Sequence, residues 1–425
     1  MARFSMLDAK FIRENEELVR QSLRNRNYDM SVLEEFLSAD KKWRALVEEG
    51  NSLRQQRNTV SEQIPKLPKE EKQAKIAEMK TIASRIKEIE DEVKGLEATR
   101  DKGLLNMPNI PDPSVPVGAT PDDDVVTRHW GEKRTFDFKP RSHWEIGEAL
   151  DIIDFDRGVK VTGTGFYVLK GDGARLERAL INFMLDLHHD QGYRELFPPV
   201  MINRKSCVGT GQLPKMEDDM YWVERDDLWL NPTAEVPVTN LYSDEILDGK
   251  MLPIYHTAYL PSFRREAGKH IETKGIARVH QFNKVELVKF VLPETSQNEL
   301  ETLLRDAEAV VQGLKLPYRI KVLCTGDLGF HSSKTYDIEA YAPAMDQWLE
   351  VSSCSDFKEF QARRAMIKFR REPHLKSEFV HTLNGSGIAL PRTMASVLEN
   401  CQNKDGTITI PTVLRPYMKG QELIE

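Results

Sequence analysis

Ser262-Phe263-Arg264-Arg265-Glu266 is the first half of a β-hairpin that we predict over residues 259–290, and Arg278-Val279-His280-Gln281-Phe282-Asn283-Lys284-Val285-Glu286 is the second half. Side chains two residues apart on a strand point to the same face of the sheet. Arg264 and Glu266 would therefore share one face of the first strand. A face that combines charged and aromatic residues is unsuited to a hydrophobic core, and it indicates a site for a polar ligand.

The spacing along the second strand suits an elongated ligand. Phe282 and Glu286 lie four residues apart, which corresponds to about 13 Å on an extended strand. This is the span from the base of an adenylate to the far end of an amino acid joined to its phosphate. Phe282 can stack on a purine, Glu286 can accept a hydrogen bond, and Arg264 can hold a phosphate with its planar guanidinium. Taken alone, an arginine–glutamate pattern on paired strands is more often a structural ion pair.

Three other segments carry residue types that suit the same ligand. Gly385-Ser386-Gly387-Ile388-Ala389-Leu390-Pro391-Arg392 combines glycines, which permit close backbone approach, with an arginine that opens a predicted helix and can reach phosphates. Thr233-Ala234-Glu235 offers a hydroxyl and a carboxylate to an ammonium group. Glu350-Val351-Ser352-Ser353 offers the oxygen ligands that Mg²⁺ uses beside nucleotide phosphates. Glu350 and Ser353 have opposite strand parity, so joint ligation requires a bulge or a strand end.

Composition restricts the class of protein. The chain has 425 residues, 40% of them hydrophobic and 30% charged, and a formal net charge of −7, which predicts two or three globular domains. Contact with nucleic acid would need a local basic patch, because the whole chain is acidic. The four cysteines form no CxxC pair, so we expect neither structural zinc nor disulfides, as in a reducing cytosol. No apolar run reaches the roughly 20 residues of a membrane span, and the N-terminus lacks the apolar region of a signal peptide.

Heptad repeats predict a helical hairpin over about residues 31–103. Apolar residues recur at heptad spacing on both sides of Pro65-Lys66-Leu67-Pro68, with Phe36 and Trp43 in the first repeat and Ile86 and Val93 in the second. Two heptad helices joined by a proline-marked turn are typical of an antiparallel coiled coil. Arms of about 35 residues would be roughly 50 Å long.

Basic residues are spread over this hairpin. The candidates for contact with nucleic acid are Arg54, Arg57, Lys66, Lys69, Lys72, Lys75 and Lys80. Acidic residues are interspersed with them, so charge alone favours an ordinary solvated coiled-coil face over a binding surface.

A proline-rich stretch over Met107–Pro116 marks the clearest domain boundary, because it cannot form a helix or a central strand. We divide the chain into a helical arm over residues 1–108, a linker over 109–120 and a second domain over 121–425. Short β-rich runs in the second domain alternate with a few helical runs, without a serial βαβ repeat. This pattern predicts an α+β fold in which a mixed or antiparallel β-sheet is flanked by helices.

Taken together, the motifs resemble those of the class II aminoacyl-tRNA synthetases, specifically seryl-tRNA synthetases of the bacterial type. The resemblance covers nearly the whole chain, and its fold would be a coiled-coil arm followed by a class II synthetase domain on an antiparallel sheet. The strings that carry it include Gly209-Thr210-Gly211-Gln212-Leu213-Pro214, Thr233-Ala234-Glu235, Val279-His280-Gln281-Phe282, Lys334-Thr335-Tyr336-Asp337, Glu350-Val351-Ser352-Ser353, Gln361-Ala362-Arg363-Arg364 and His381-Thr382-Leu383-Asn384-Gly385-Ser386-Gly387.

The resemblance implies a role for each matched position. Catalysis is implied for Arg264 and Arg392, and Mg²⁺ binding together with ATP for Glu350 and Ser353. The implied serine site consists of Thr233, Ala234, Glu235, Arg264, Glu286 and Ser386. The implied ATP site consists of Arg264, Arg265, Glu266, Val279, Phe282, Glu350, Val351, Ser352, Ser353 and Arg392.

The implied reaction joins L-serine to the 3′ end of tRNA(Ser), and also of tRNA(Sec), by way of a seryl-adenylate made from ATP. Residues 176–200 look like the dimer-forming motif of the family, so the resemblance implies a cytoplasmic homodimer that binds tRNA across its subunits. The basic residues of the arm then become candidate contacts to the tRNA backbone, which reverses the reading from charge alone.

Two alternatives compete with this interpretation. A synthetase paralogue could pass the activated amino acid to a carrier that is not tRNA, although the intact basic hairpin argues against it. A non-catalytic RNA-binding coiled-coil protein is the other, and the joint presence of Arg264, Glu266, Phe282, Glu350 and Arg392 argues against it.

The chain departs from the family at the loop of Ala267–Gly275, which is one residue shorter and lacks the usual Gly-Arg-Asp. Lys269 and Lys274 would be its contacts to the tRNA acceptor end.

Overall fold

The computed structural model describes residues 8–267 and 275–425. The loop residues from Lys269 to Lys274, which we predicted to contact the acceptor end, lie outside this described part. The chain divides into two compact units, Met1–Pro108 and Asn109–Glu425. Among the helices of the described residues, none combines the length and the apolar character that crossing a membrane requires.

The first unit is helical, and the predicted coiled-coil hairpin is confirmed. Its helices are α1 (Ala9–Glu14), α2 (Glu16–Asn25), α3 (Ser31–Gln63) and α4 (Lys69–Asn106), with a 3₁₀ turn at Ile64–Lys66 between the two long arms. The arms pack closely enough that a Cβ added at Gly50 would lie 3.3 Å from the Ile89 side chain. Arg54 forms a salt bridge of 3.0 Å with Glu90 on the facing arm.

A buried carboxylate holds the base of the arm together. Asp40 on α3 pairs with Arg13 at 3.2 Å, with Arg44 at 3.0 Å and with Arg100 at 2.9 Å. Arg100 also lies over the ring of Trp43, 4.1 Å from its centroid. Because a buried carboxylate is tolerated only when it is paired, this cluster fixes the register of α3 against α4 near their bases.

The second unit begins with residues 109–120, which form no helix or strand and are held against the rest of this unit. The Asn109 side chain donates to the carbonyls of His331 and Phe357, both at 2.9 Å. The Asp112 carboxylate pairs with Lys358 at 2.7 Å.

Helices and strands then alternate. The helices are α5 (His143–Ala149), α6 (Phe155–Thr162), α7 (Gly171–Asp190), α8 (Arg204–Thr210), α9 (Glu235–Thr239), α10 (Ser296–Gly313), α11 (Phe360–Ala365) and α12 (Leu390–Cys401). The strands are β1 (Val125–Trp130), β2 (Ile153–Asp154), β3 (Val168–Leu169), β4 (Arg194–Leu196), β5 (Met201–Asn203), β6 (Trp222–Val223), β7 (Leu228–Leu230), β8 (Ile246–Asp248), β9 (Ile254–Phe263), β10 (Gln281–Val291), β11 (Tyr318–Val322), β12 (Lys334–Ala342), β13 (Gln347–Lys358), β14 (Lys368–Arg370), β15 (Glu378–Phe379), β16 (His381–Ala389), β17 (Ile408–Thr409) and β18 (Leu423–Ile424).

The main sheet has eight strands among the described residues, in the order β1-β11-β12-β13-β16-β10-β9-β4. All neighbouring pairs are antiparallel except β4 with β9 at the edge. The predicted α+β class is therefore confirmed. Residues from α7, α10 and α12, among them Leu180, Leu303 and Leu398, form one buried cluster with Val285 and Leu383 of the sheet, so these helices cover one face of it.

Two bulges interrupt the pairing in the middle of the sheet. Ile338 pairs with Ser352 and Glu339 with Glu350, which leaves Val351 as an extra residue on β13. Val285 pairs with Ile388 and Glu286 with Ser386, which leaves Gly387 as an extra residue on β16. A bulge changes which side chains share a face, and both bulges lie beside the residues predicted to bind substrate.

Candidate active site

The first candidate cavity lies at the open end of the predicted hairpin. It measures about 600 Å³. Its lining includes Arg264, Glu266, Val279, Phe282, Glu350, Val351, Ser386 and Arg392 from the predicted set, together with Ile276, Ala277, Arg278, Lys284, Ala389 and Pro391. The tertiary structure thus brings the hairpin, the bulged strand β13 and the start of α12 to one place.

The hairpin differs from the prediction at its open end. Strand β9 ends at Phe263, so Arg264 and Glu266 lie beyond it, and Glu266 has a positive φ of 50°. The backbone N–H of Arg264 donates to the carbonyl of His280 at 2.9 Å, and the His280 ring lies 3.1 Å from the carbonyl of Arg264. These bonds hold the two chains together past the regular ladder, so both side chains still line the cavity.

Arg264 and Phe282 lie against one another. The Arg264 guanidinium is 5.2 Å from the centroid of the Phe282 ring, and its Nε donates to the carbonyl of Pro232 at 3.3 Å. A cation over an aromatic face is favourable, so the two side chains orient one another. Arg264 also lines a second cavity, which is described below.

Arg392 also lines the first cavity. It occupies the first turn of α12, where its Nε donates to the carbonyl of Ala277 at 3.1 Å. Its Nη1 donates to the carbonyl of Glu350 at 2.8 Å and lies 3.1 Å from the Glu350 carboxylate. The guanidinium is thus positioned by three oxygens from two different segments.

The second cavity measures about 740 Å³ and shares Arg264, Lys284, Glu350 and Ser386 with the first, so the two are continuous. It adds Thr233, Glu235 and Ser353 from the predicted set. Glu235 is buried and accepts a hydrogen bond of 2.6 Å from Gln361. Burial, reinforced by the nearby charge of Glu286, raises the pKa of Glu235 to about 7. A buried carboxylate of this kind favours a cationic partner.

Glu286 lies beneath the floor of the second cavity and is fully buried. One oxygen accepts from the Thr233 hydroxyl at 2.5 Å and also pairs with Lys284, and the other accepts from the Asn384 amide at 2.5 Å. A carboxylate has about four acceptor positions, so these contacts leave acceptor capacity. Thr233 and Asn384 hold this carboxylate from the wall of the second cavity, which both of them line.

On a regular strand Glu350 and Ser353 would point to opposite faces. The bulge at Val351 adds one residue between them, so both side chains line the second cavity. A carboxylate and a hydroxyl on one wall form a donor set that fits Mg²⁺, which commonly keeps waters and phosphate oxygens among its ligands. Behind them, burial and the charge of Glu350 hold the pKa of Asp337 well above its usual range, as expected of a carboxyl in an already anionic pocket.

Four predicted residues line neither cavity: Glu286, which lies beneath the floor of the second, and Arg265, Ala234 and Ser352. Arg265 is exposed, and its side chain donates to the carbonyl of Asp218 at 3.0 Å. Ala234 is buried in an apolar cluster beside α9. The Ser352 hydroxyl donates to the carbonyl of Ser386 at 2.6 Å and so ties β13 to β16.

The structure also brings in residues that the sequence analysis did not assign. Lys284 lines both cavities and Asn384 lines the second. Gln361 donates a hydrogen bond to Glu235. Lys284 lies two residues from both Phe282 and Glu286, so the strand alternation was a signal that could have found it. Asn384 and Gln361 lie within the quoted motifs, but nothing in their spacing points to the cavity.

The predicted contacts of the arm whose side chains the structure describes are all at least partly exposed. Lys80 is exposed, and Arg57 and Lys72 are partly exposed. Arg54 pairs with Glu90, and Lys75 pairs with Glu78 at 2.6 Å. The side chains of Lys66 and Lys69, near the turn, lie outside the described part of the structure. Acidic neighbours therefore neutralise part of the basic charge.

Comparison with known proteins extends these observations over the whole chain. Residues 6–111 match the family model of the seryl-tRNA synthetase N-terminal domain, and residues 221–401 match that of the tRNA synthetase class II core domain (G, H, P, S and T). The serine–tRNA ligase of Carboxydothermus hydrogenoformans is 55% identical over 417 residues, which covers 97% of this chain and 98% of that protein. The serine–tRNA ligase of Halothermothrix orenii is 56% identical and covers 99% of this chain and 100% of that protein.

Solved structures agree with the sequence relatives. The crystal structure of seryl-tRNA synthetase from Pyrococcus horikoshii complexed with ATP has a TM-score of 0.94 at 40% identity and covers 99% of each chain. That of the cytoplasmic serine–tRNA ligase from Naegleria fowleri in complex with AMP has a TM-score of 0.89 at 30% identity, again over 99% of each chain. With identity of this level over its full length, the chain belongs to the seryl-tRNA synthetase family.

Proposed function

We propose that the protein is a serine–tRNA ligase. It activates L-serine with ATP to seryl-adenylate and diphosphate, and it then transfers the seryl group to the 3′ end of tRNA(Ser). The observation that carries this proposal is the continuity of the two cavities through Arg264, with Phe282 in one and Glu235 in the other. A nucleotide and an amino acid placed in this track would meet at the arginine.

ATP occupies the first cavity in this proposal. Phe282 stacks on the adenine, Glu266 and the backbone of Val279 read its edge, and Arg392 reaches the outer phosphates. Arg264 holds the α-phosphate and the serine carboxylate, which would otherwise repel one another as anions. In-line attack of the carboxylate on the α-phosphorus then needs positioning and charge neutralisation, and no covalent nucleophile on the protein.

Serine occupies the second cavity. Its ammonium lies between the Thr233 hydroxyl and the Glu235 carboxylate, and Ser386 lies beside its side chain. Its hydroxyl donates to Glu286. Alanine and glycine would leave this buried acceptor without the new partner, which is a strong ground for rejection. Threonine is excluded only by shape.

Glu350 and Ser353 would hold Mg²⁺ together with ATP. The fit rests on the bulge at Val351, which brings both oxygen donors to one wall. The bound ion would neutralise phosphate charge, while the positions of the two donors would keep the triphosphate beside Arg392.

We also propose that the protein is a cytoplasmic homodimer whose arm contacts tRNA bound across the two subunits, and that tRNA(Sec) is a second substrate. The exposed basic residues of the arm suit contact with the RNA backbone. The four free cysteines fit a reducing compartment.

One pair of assays tests the proposal against its two alternatives. The purified protein should catalyse serine-dependent exchange of diphosphate into ATP and should charge tRNA(Ser) with serine. Absence of exchange would favour a non-catalytic RNA-binding protein. Exchange without charging would favour a paralogue that passes the amino acid to another carrier.

A further inference from the structure

A buried histidine–glutamate pair lies outside the residues that line the two cavities. His143 is the first residue of α5, and Glu399 lies in the last turn of α12. The His143 Nδ1 is 2.9 Å from Glu399 Oε1, which also accepts from the backbone N–H of His143 at 3.1 Å. Both side chains are completely shielded from solvent. The pair therefore joins α5 to the helix that carries Arg392.

The other ring nitrogen of His143 holds the wall of the ATP cavity. The backbone N–H of Ile276 donates to His143 Nε2 at 3.2 Å. A backbone N–H can only donate, so Nε2 carries no proton and the ring proton lies on Nδ1, where it is donated to Glu399. The second oxygen of Glu399 accepts from the N–H groups of Ala344 and Met345 at 2.9 and 3.4 Å.

These contacts close a ring that includes Arg392. Ile276 is followed by Ala277, whose carbonyl accepts from Arg392 Nε at 3.1 Å. Arg392 and Glu399 lie on the same helix, about two turns apart. The cavity wall is thus attached to α12 twice, once directly through Arg392 and once through His143 and Glu399. Two attachments fix the direction of the Ala277 carbonyl, and that carbonyl orients the guanidinium.

We propose that His143 is a positioning residue for Arg392, acting through Ile276 and Ala277 and held in its tautomer by Glu399. This inference rests on the proposed function, because it assigns His143 to the ATP half of the reaction. Groups that orient a substrate-contacting residue typically change affinity when they are removed. Loss of the Nε2 acceptor would leave the buried Ile276 N–H unpaired and would displace the wall.

The expected signature is selective for ATP. His143→Asn keeps an amide donor near the position of Nδ1 but has no acceptor at Nε2, so the KM for ATP should rise about tenfold while the KM for serine changes by less than about twofold. His143→Gln places an amide oxygen near the position of Nε2, and the backbone N–H of residue 143 still reaches Glu399. This variant should stay within about threefold of the wild-type KM for ATP.

The experiment uses the full-length protein and measures diphosphate exchange with each substrate varied in turn. Affinity for a non-hydrolysable ATP analogue is measured in parallel by titration calorimetry. His374→Asn is the matched control, because His374 is exposed in the described structure. Melting temperatures of all variants are compared. A purely structural pair would instead lower the melting temperature and move both KM values together.

Equal effects of Asn and Gln, parallel changes in the two KM values, or an unchanged ATP affinity in His143→Asn would each overturn the inference. If His143→Asn does not fold, ¹⁵N NMR of the wild-type protein tests the inference instead, by showing which ring nitrogen of His143 carries the proton. A proton on Nδ1 supports the ring of contacts, and a proton on Nε2 excludes it. Failure of exchange in the wild-type protein would count against the proposed function, whereas the calorimetric comparison tests His143 independently of activity.

Discussion

Glu350 and Ser353 line the same cavity although they lie three residues apart on one strand, because Val351 between them is the extra residue of a bulge. On a regular strand this odd spacing would place the two side chains on opposite faces. The bulge therefore creates a pair of oxygen donors that the sequence pattern by itself would separate.

Removal of the Glu350 charge should raise the requirement for Mg²⁺. Glu350→Gln keeps the shape of the side chain but replaces an anionic ligand with a neutral one, so we expect the Mg²⁺ concentration for half-maximal diphosphate exchange to rise about tenfold or more. Glu350 also contacts Arg392, so the KM for ATP is measured again at saturating Mg²⁺. An unchanged Mg²⁺ requirement would remove Glu350 from the metal site.

Glu286 should decide between serine and alanine. Glu286→Ala removes the proposed acceptor for the substrate hydroxyl, so the ratio of kcat/KM for serine over alanine in exchange should fall by at least about tenfold. Glu286→Gln is the matched control, since its amide oxygen can still accept from the hydroxyl and should retain part of the preference. Unchanged selectivity in Glu286→Ala would mean that another group, such as Thr233, recognises the hydroxyl.

Serine binding should weaken in mild acid. Burial raises the pKa of Glu235 to about 7, and the proposed ion pair with the substrate ammonium needs the ionised carboxylate. The KM for serine should therefore rise as the pH falls below about 7, whereas the KM of Glu235→Gln should be high and nearly independent of pH. A wild-type KM that stays flat between about pH 6 and pH 8 would contradict this role for Glu235.

The same carboxyl should also affect stability in the absence of substrate. Its pKa is higher in the folded state than the ordinary value of 4.5, so its contribution is most favourable at low pH and is lost as the pH rises through about 7. The melting temperature of the wild-type protein, relative to that of Glu235→Gln, should fall between about pH 5 and pH 8. A constant difference between the two would show that Glu235 titrates normally.

Gln361 should orient Glu235 through the hydrogen bond between their side chains. Its amide donates to Glu235 at 2.6 Å and to the carbonyl of Thr210 at 3.2 Å, and its oxygen accepts from Thr382 at 2.8 Å. Gln361→Met keeps the volume and removes these bonds, so the KM for serine should rise about tenfold with little change in the KM for ATP. Thr382→Val, which removes only the hydrogen bond from the Thr382 hydroxyl to the Gln361 oxygen, should have a smaller effect. Equal changes in both KM values would indicate a general loss of packing.

Shortening the arm should separate the two steps of the reaction. Gly50 and Ile89 face one another across the coiled coil, so residues 51–88 can be replaced by a short glycine turn that keeps the buried Asp40 cluster intact. Diphosphate exchange should persist, because the site lies in the second unit, while kcat/KM for tRNA charging should fall by orders of magnitude. Normal charging by this variant would reduce the arm to a structural element.

Local patterns explain why much of the fold could be predicted from the sequence. The heptads around Phe36 and Ile86 specify two helices that need only one another, and the alternation around Phe282 specifies a strand whatever lies next to it. Residue type and spacing supplied Arg264, Glu235 and Arg392 as candidates, and the family motifs gave each of them a specific role. Lys284 could have been found from the same strand alternation, whereas Asn384 and Gln361 were missed because their roles depend on neighbours from distant segments.

The sequence by itself determined the coiled-coil arm, the α+β class and most side chains of the candidate site, since each follows from periodicity or from a contiguous motif. Only the tertiary structure decided how those side chains meet. The bulges at Val351 and Gly387 set which faces the donors occupy, and the contacts of Glu286 with Thr233 and Asn384 join three separate segments. Such relationships depend on strand register and on packing between segments far apart in the chain, and no local pattern of residues encodes them.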